Sequence, residues 1–358
     1  MKGRTFIGCI FVVAILGMAI PAWANVLNMS DPNLTSLEFV TVDDANNPPD
    51  LRYSGKGAVS YSYDIGEFEV TGGQYCEFLK AVAATDTHDL YSASMSGARG
   101  ACMIQQNGSP GSYTYSVDLN HANRPVNYVC FWDACRFVNW LTNGQPTGSQ
   151  DANTTEDGSY CLNGQTGADG RTIQRKTQGG RYFVPSENEW YKTAYYDPGK
   201  AGGAGYWDFP TLGNTAPTAE LPPGSAEPNG SANYNAVDQA NGITEVGAYD
   251  QSPSAYATFD QGGNVQEWDE TIVNLGLGWA SRQLLGGGFL STGPDLRANA
   301  SSNHFPNFED EDIGFRVVEV PEPATLSLLA IGGLAILRRG WGRAALRRGS
   351  GQGLRRRK

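Results

Sequence analysis

Apolar and polar positions change period several times along this chain, and each change marks an element. Alternation over residues 60–70, with Tyr61, Tyr63 and Ile65 on one side, predicts a strand. Thr71 and Gln74 then stand at capping-box spacing, each side chain placed to satisfy a free amide of a helix start. Tyr75, Phe78, Leu79 and Val82 follow at helical spacing, which predicts an amphipathic helix over 72–84. A second helix is predicted over 131–142, with Cys130 in an N-cap-like position. Its apolar face is Ala134, Phe137, Val138 and Leu141, and Asn143-Gly144 closes it. Ser186 and Glu189 form another capping box, and Trp190, Ala194 and Tyr195 give a third helix its apolar side. Polar, Gly/Ser-rich residues 92–123 read as an insertion loop, and 197–231 as a Pro/Gly-rich loop. Short helices separated by long loops, with strands late in the chain, give an α+β body.

One stretch breaks every period. Gly262-Gly263-Asn264-Val265-Gln266-Glu267-Trp268 puts two glycines, two amides, a carboxylate and a large aromatic in one short run. Glycines permit a tight or left-handed backbone. Asp260, Glu267 and backbone carbonyls can point oxygens inward, the donor set that hard cations such as calcium take. A metal-free turn beside a buried Trp fits the same residues.

The ends differ in charge from the middle. Residues 1–24 hold Lys2 and Arg4, an apolar run from Phe6 to Ile20, and Ala22-Trp23-Ala24 before Asn25, the pattern of a secretory signal. The last residues, from Arg338, carry nine basic side chains and no acid. Setting both ends aside turns the formal −11 of the 358-residue chain into about −22 for the body. A body so acidic argues against a nucleic-acid partner. Near the C-terminus, Pro321-Glu322-Pro323 precedes a short apolar segment that runs to Leu337 and meets Arg338-Arg339. The segment is too short for a stable span of about 20 residues. This order resembles the PEP-CTERM sorting signal of bacterial surface proteins. The resemblance implies an exosortase-type transpeptidase as partner, transient membrane anchoring, and delivery of the body to the cell surface. The domain reading is a signal at 1–24, a polar segment at 25–58, the body at 59–318, the sorting signal at 319–339 and a basic tail at 340–358.

Within the body, residues 65–86, 124–141, 181–195, 232–268, 284–290 and 313–316 occur in an order that resembles the formylglycine-generating enzyme (sulfatase-modifying factor) family. The resemblance implies a single C-type-lectin-like domain with long irregular loops. It also implies two structural calcium sites. One would use Asn233, the Tyr234 carbonyl, Asp238 and the Ala240 carbonyl. The other would use the Asp260 and Glu267 side chains with the Gly263 and Val265 carbonyls. Gln266 stands where the family pattern usually has Trp, and Gly286-Gly287-Gly288-Phe289 replaces its Arg-Gly-Gly-Ser.

The family oxidises a substrate cysteine with copper held by two cysteines after that last motif. Soft thiolates suit Cu(I) and hydroxyls do not. Residues 287–297 contain Ser291 and Thr292 but no cysteine, which argues against copper. The mature cysteines, Cys76, Cys102, Cys130, Cys135 and Cys161, are odd in number, so at least one thiol stays free unless chains are linked. Cys102 and Cys161 are candidates for one disulfide, with the pairing left open. His88, His121 and His304 lack the spacing of an iron or zinc site. Three function classes follow. The body is an oxidoreductase of the family, a surface-displayed module that binds a peptide, protein or glycan, or an extracellular-matrix component. In variable ligand-binding proteins of this fold the binding face precedes Gly-Phe-Arg. Here that places Asn303, His304, Phe305 and Asn307 at a ligand, framed by Trp268 and Arg316. The binding module is favoured, because the thiols of the reaction are missing.

Overall fold

The computed structural model describes residue 27 and residues 36–320, apart from 98, 99, 170, 172, 226, 227, 275, 277 and 278. The secretory signal expected at 1–24 lies outside these residues, as does all of the sorting signal expected at 319–339 except residues 319–320, which belong to the folded body. Both capping boxes form. Thr71 Oγ1 accepts from the Gln74 amide at 3.2 Å while Gln74 Oε1 accepts from the Thr71 amide at 2.9 Å, opening helix α1 (Gly72–Val82). Helix α2 (Phe131–Thr142) starts at Cys130, whose amide donates to Asp133 Oδ2 at 2.8 Å. Ser186 and Glu189 open helix α3 (Glu187–Tyr195) in the same reciprocal way. The first two helices interlock through aromatic rings. Phe78 of α1 meets Phe137 and Trp140 of α2 at centroid distances of 5.4 and 5.2 Å. Phe137 in turn meets Phe315 at 5.4 Å, which ties the pair to the last strands of the body.

Fourteen short strands complete the described residues. They are β1 (Phe39–Val42), β2 (Tyr63–Gly66), β3 (Ile104–Asn107), β4 (Thr114–Val117) and β5 (Tyr182–Phe183). Next come β6 (Tyr196–Asp197) paired with β7 (Gly205–Tyr206), and β8 (Thr218–Ala219) paired with β9 (Ser231–Ala232). The last are β10 (Gln266–Asn274), β11 (Ala280–Leu285), β12 (Ser302–His304), β13 (Ile313–Gly314) and β14 (Val318–Glu319). One sheet runs β1-β2-β14-β5 and is antiparallel throughout. The other runs β12-β11-β10-β13, with β10 parallel to β13 and β12 at an edge. Among the described residues no helix is long and apolar enough to cross a membrane.

Three local expectations change. The strand expected over 60–70 pairs only at Tyr63–Gly66, because beyond it the Val70 amide bonds Phe315 O instead of a strand partner. The polar segment before residue 59 contains β1, paired with β2, and buries Asn47 and Asp50, so the folded body begins earlier. The expected insertion loop at 92–123 holds the β3–β4 hairpin, with Ile104 and Tyr115 buried.

Candidate functional site

The Gly-rich stretch turns β10 inward so that its second residue, Glu267, is fully buried. A carboxylate in that position costs several kcal/mol unless it is paired and hydrogen-bonded. Arg316 supplies the pairing with a fork. Its Nε and Nη2 reach the two Glu267 oxygens at 2.6 and 2.7 Å, and Trp190 Nε1 of α3 adds a bond at 2.7 Å. The remaining guanidinium protons go to the carbonyls of Gly66 and Phe259, each at 2.9 Å, and of Glu67 at 3.3 Å. Trp268 points the other way and donates to Val129 O at 3.0 Å. Arg316 and Trp268 are both wholly buried, so the expectation that they frame a ligand directly is corrected. They hold the scaffold beneath the surface, where the Glu267 charge secures Arg316.

Two more carboxylates face this pair. Asp260 sits at φ 61° and accepts from the Gly247 amide at 2.6 Å, and burial pushes its pKa up to about 6. Glu69 is raised further from its ordinary range by burial and then by the Asp260 charge, and its Oε2 has no partner. Asn264 joins the parts. Its Nδ2 reaches Glu69 Oε1 at 3.3 Å, while its Oδ1 accepts from the Thr244 amide at 2.9 Å and from Asn233 Nδ2 at 3.2 Å. Gly263 must be glycine. At φ 94° an added Cβ would lie 2.4 Å from the Asn233 carbonyl oxygen.

The residues read as calcium ligands thus fall into two sets. Asp260 and Glu267 belong to the buried carboxylate group, where one arginine faces three acids. Gly263 and Val265 shape the loop between them, and Val265 packs on Ile243 and Phe289. In the other set, Asn233 donates through Nδ2 to Gly242 O at 2.8 Å and leaves its buried Oδ1 without a partner. Asp238 Oδ1 accepts from the amides of Ala240 and Asn241 at 3.2 and 3.0 Å, closing a tight turn. The Tyr234 hydroxyl donates to Pro217 O at 2.6 Å. An unfilled buried amide oxygen and an excess of buried carboxylate both suit a hard cation.

The first residue of β10, Gln266, opens onto the surface. With Leu284, Gly286, Gly287, Ser291, Asp295, Asn299 and Ser301–Ser302 it lines a cleft of about 410 Å³. Ser302 Oγ donates to Gln266 Oε1 at 2.7 Å, and Gln266 Nε2 donates to Asp312 Oδ2 at 3.1 Å. The left-handed Gly286 lets the backbone pass Gln261 O and the Trp190 ring, which a Cβ would strike at 2.8 and 3.2 Å. Thr292 and Asp295 cap the short turn on the cleft wall. No described cysteine is among the lining residues: Cys76, Cys102, Cys130 and Cys135 are buried, and Cys161 is exposed elsewhere. All five are thiols, so Cys102 and Cys161 are not paired as the sequence allowed.

Of the residues expected at a ligand, Asn303, Phe305 and Asn307 are exposed and His304 is half-buried. His304 stacks on Phe308 at 4.1 Å, and Phe305 meets Trp279 at 6.2 Å with both rings about half exposed. Sequence reasoning missed Trp279, whose only signal is a large aromatic following Gly278, and, apart from Ser291, missed the small polar residues of the cleft. His88, His121 and His304 stand apart, the first two near Glu156 and Asp118 at 3.6 and 3.7 Å.

Residues 48–320 match the family described as sulfatase-modifying factor enzyme 1-like domain. Solved structures similar to the chain include that of CarF, at 21% identity over 80% of this chain and 98% of that one, with a TM-score of 0.48. PvdO from Pseudomonas aeruginosa is 17% identical over 84% of this chain and all of its own, with a TM-score of 0.47. Treponema denticola variable protein 1 is 18% identical over 80% and 96%, with a TM-score of 0.46. No curated protein matches the chain.

Proposed function

The chain belongs to the family of sulfatase-modifying factor enzyme 1-like domains, and from that premise we propose that it is an exported, surface-sorted binding module that keeps the family's fold without its copper chemistry. One observation carries this reading. The cleft beside β10 is walled by Ser291, Asp295, Asn299, Ser301 and Ser302 and offers hydroxyls, an amide and one carboxylate, but no thiol. A hydroxyl stays protonated at neutral pH and does not hold Cu(I). What the same groups do well is donate and accept hydrogen bonds to a polar ligand.

The ligand class that fits is an extended peptide. Strand β12 lies at the edge of its sheet, open to strand addition, and Phe305 with Trp279 gives apolar contact beside it. Calcium is proposed as the structural ion, held by Asn233, Asp238 and the Tyr234 and Ala240 carbonyls, and by Asp260 and Glu267 with the Gly263 and Val265 carbonyls. Bound there it would satisfy Asn233 Oδ1 and offset the acids around Arg316. Export rests on the residues 1–24 pattern and surface sorting on the residues 319–339 pattern, with an exosortase-type transpeptidase as the processing partner.

The test uses the purified body and a fluorescent peptide carrying a sulfatase-type cysteine motif, with Cu(I) supplied. Binding by anisotropy without conversion of the cysteine to an aldehyde, as read by mass spectrometry, is the expected result. Asn299→Arg should fill the cleft and abolish binding while leaving the melting temperature in place. Aldehyde formation would establish an oxidoreductase and overturn the reading. Absence of both binding and conversion would refute the peptide cleft.

A further inference from the structure

Helix α2 begins with an unusual cap. Position 130 is a buried cysteine where Ser, Thr, Asp or Asn is the common choice. Three residues later Asp133, only 1% exposed, turns its carboxylate back to the Cys130 amide. A third group comes from far along the chain, since Glu309 follows the expected ligand-contact residues 303–307. The Cys130 thiol and one oxygen from each of Asp133 and Glu309 all lie within 4.8 Å of one another.

This meeting is imposed by the backbone. The Phe131 amide donates to Pro306 O and the Tyr128 amide to Asp310 O, both at 3.0 Å, so the loop is clamped to the helix start on either side of Glu309. The clamp crowds three groups that become anionic, and no described Lys or Arg forms an ion pair with any of them. Arg136, one turn along the helix, is committed to Glu156 at 2.6 Å. Burial and the neighbouring charges push all three up from their ordinary ranges, Asp133 to about 8. Cys130 and Asp133 are buried and Glu309 is half-buried, and a group held together in this way is stabilised either by retained protons or by a cation.

We infer that Cys130, Asp133 and Glu309 form a site for a borderline divalent metal ion such as zinc, which staples the 305–310 loop to the start of α2. One sulfur and two carboxylate oxygens suit Zn²⁺, with the fourth position open to water. Oxygen-only calcium sites differ from it in the thiolate. The metal would fix the loop that carries Phe305 and Asn307, directly after β12 and its Asn303, whatever that face binds.

Cobalt(II) replaces zinc and reports its own ligands. The full chain carrying Cys161→Ser, to remove the exposed thiol, is stripped with chelator, kept reduced with a phosphine, and titrated with Co²⁺ in saturating calcium. The expected result is a thiolate-to-cobalt charge-transfer band that saturates at one equivalent and is lost on adding Zn²⁺. Cys130→Ser should abolish the band with no loss of folding, because Ser is a good N-cap. Glu309→Gln should weaken binding by about tenfold or more, and Cys135→Ser should leave it unchanged. Bound zinc should also slow amide exchange in residues 305–310. The absence of a band, or its persistence in Cys130→Ser, would overturn the inference and leave a proton-sharing cluster.

Discussion

Arg316→Met tests the buried platform most directly. The wild-type guanidinium makes bonds of 2.6 and 2.7 Å to Glu267 and bonds of 2.9 Å to two carbonyls, all without solvent. Met fills much of the same volume, so the main loss is charge. Removing one partner of a buried pair costs about 3–5 kcal/mol, and here Glu267, Glu69 and Asp260 would remain together without a counter-charge. For a domain of this size that lowers the melting temperature by roughly 6–20 °C in chelator. Calcium should respond in the opposite sense, since a more negative site attracts it more strongly. A tenfold gain in affinity returns about 1.4 kcal/mol at saturation. The assay is a melting curve of wild type and variant, each with chelator and with saturating calcium. An equal deficit in both conditions would break the link between Arg316 and the ion. A variant that melts with wild type would refute the energetic account of the platform.

The pH dependence of the calcium response follows from the raised carboxylates. Asp260 has a folded pKa above its unfolded one, so its contribution to metal-free stability is present below about pH 4 and lost as pH rises through about 6. Burial and the Asp260 charge raise Glu69 in the same direction. Calcium needs the ionised forms, so the rise in melting temperature it produces should be greater at about pH 7.5 than at about pH 5. An equal or reversed effect would remove Asp260 from the ligand set. Targeting is tested in the native cell by deleting residues 321–339, which should release the body into the medium. Retention of the shortened protein at the surface would refute the sorting reading.

The sequence was most legible where a pattern is local. Both Ser/Thr capping boxes and the three helices follow from residues within four positions of one another, and Gly263 marks a true close approach. The β3–β4 hairpin escaped because its buried side shows only Ile104 and Tyr115 among polar neighbours. Strand β1 escaped because its partner lies more than twenty residues away across a polar stretch. Arg316 was misplaced at the ligand because a conspicuous cation reads as exposed until its carboxylate is located, and Glu267 is 49 residues earlier. Of the cleft, Gln266, Gly286, Gly287 and Ser291 stood out through the family resemblance, whereas Asn299, Ser301 and Ser302 gave no signal, being small polar residues common in any loop. The meeting of Cys130 with Glu309 depends wholly on tertiary structure.

Strand β14 ends the described chain in the interior of its sheet, between β2 and β5. Val320 still donates to Arg181 O at 3.0 Å, and Glu319 pairs with Arg181 at 2.7 Å. Whatever is attached after Val320 therefore hangs from a central seam, and tension drawn through it loads both flanking strands together. Peeling β14 away would split the sheet in two, whereas tugging on an outer strand would fray one margin. A proteolytic cut at Pro321 or beyond leaves this seam whole, while trimming even a few residues further would take out the sheet's keystone.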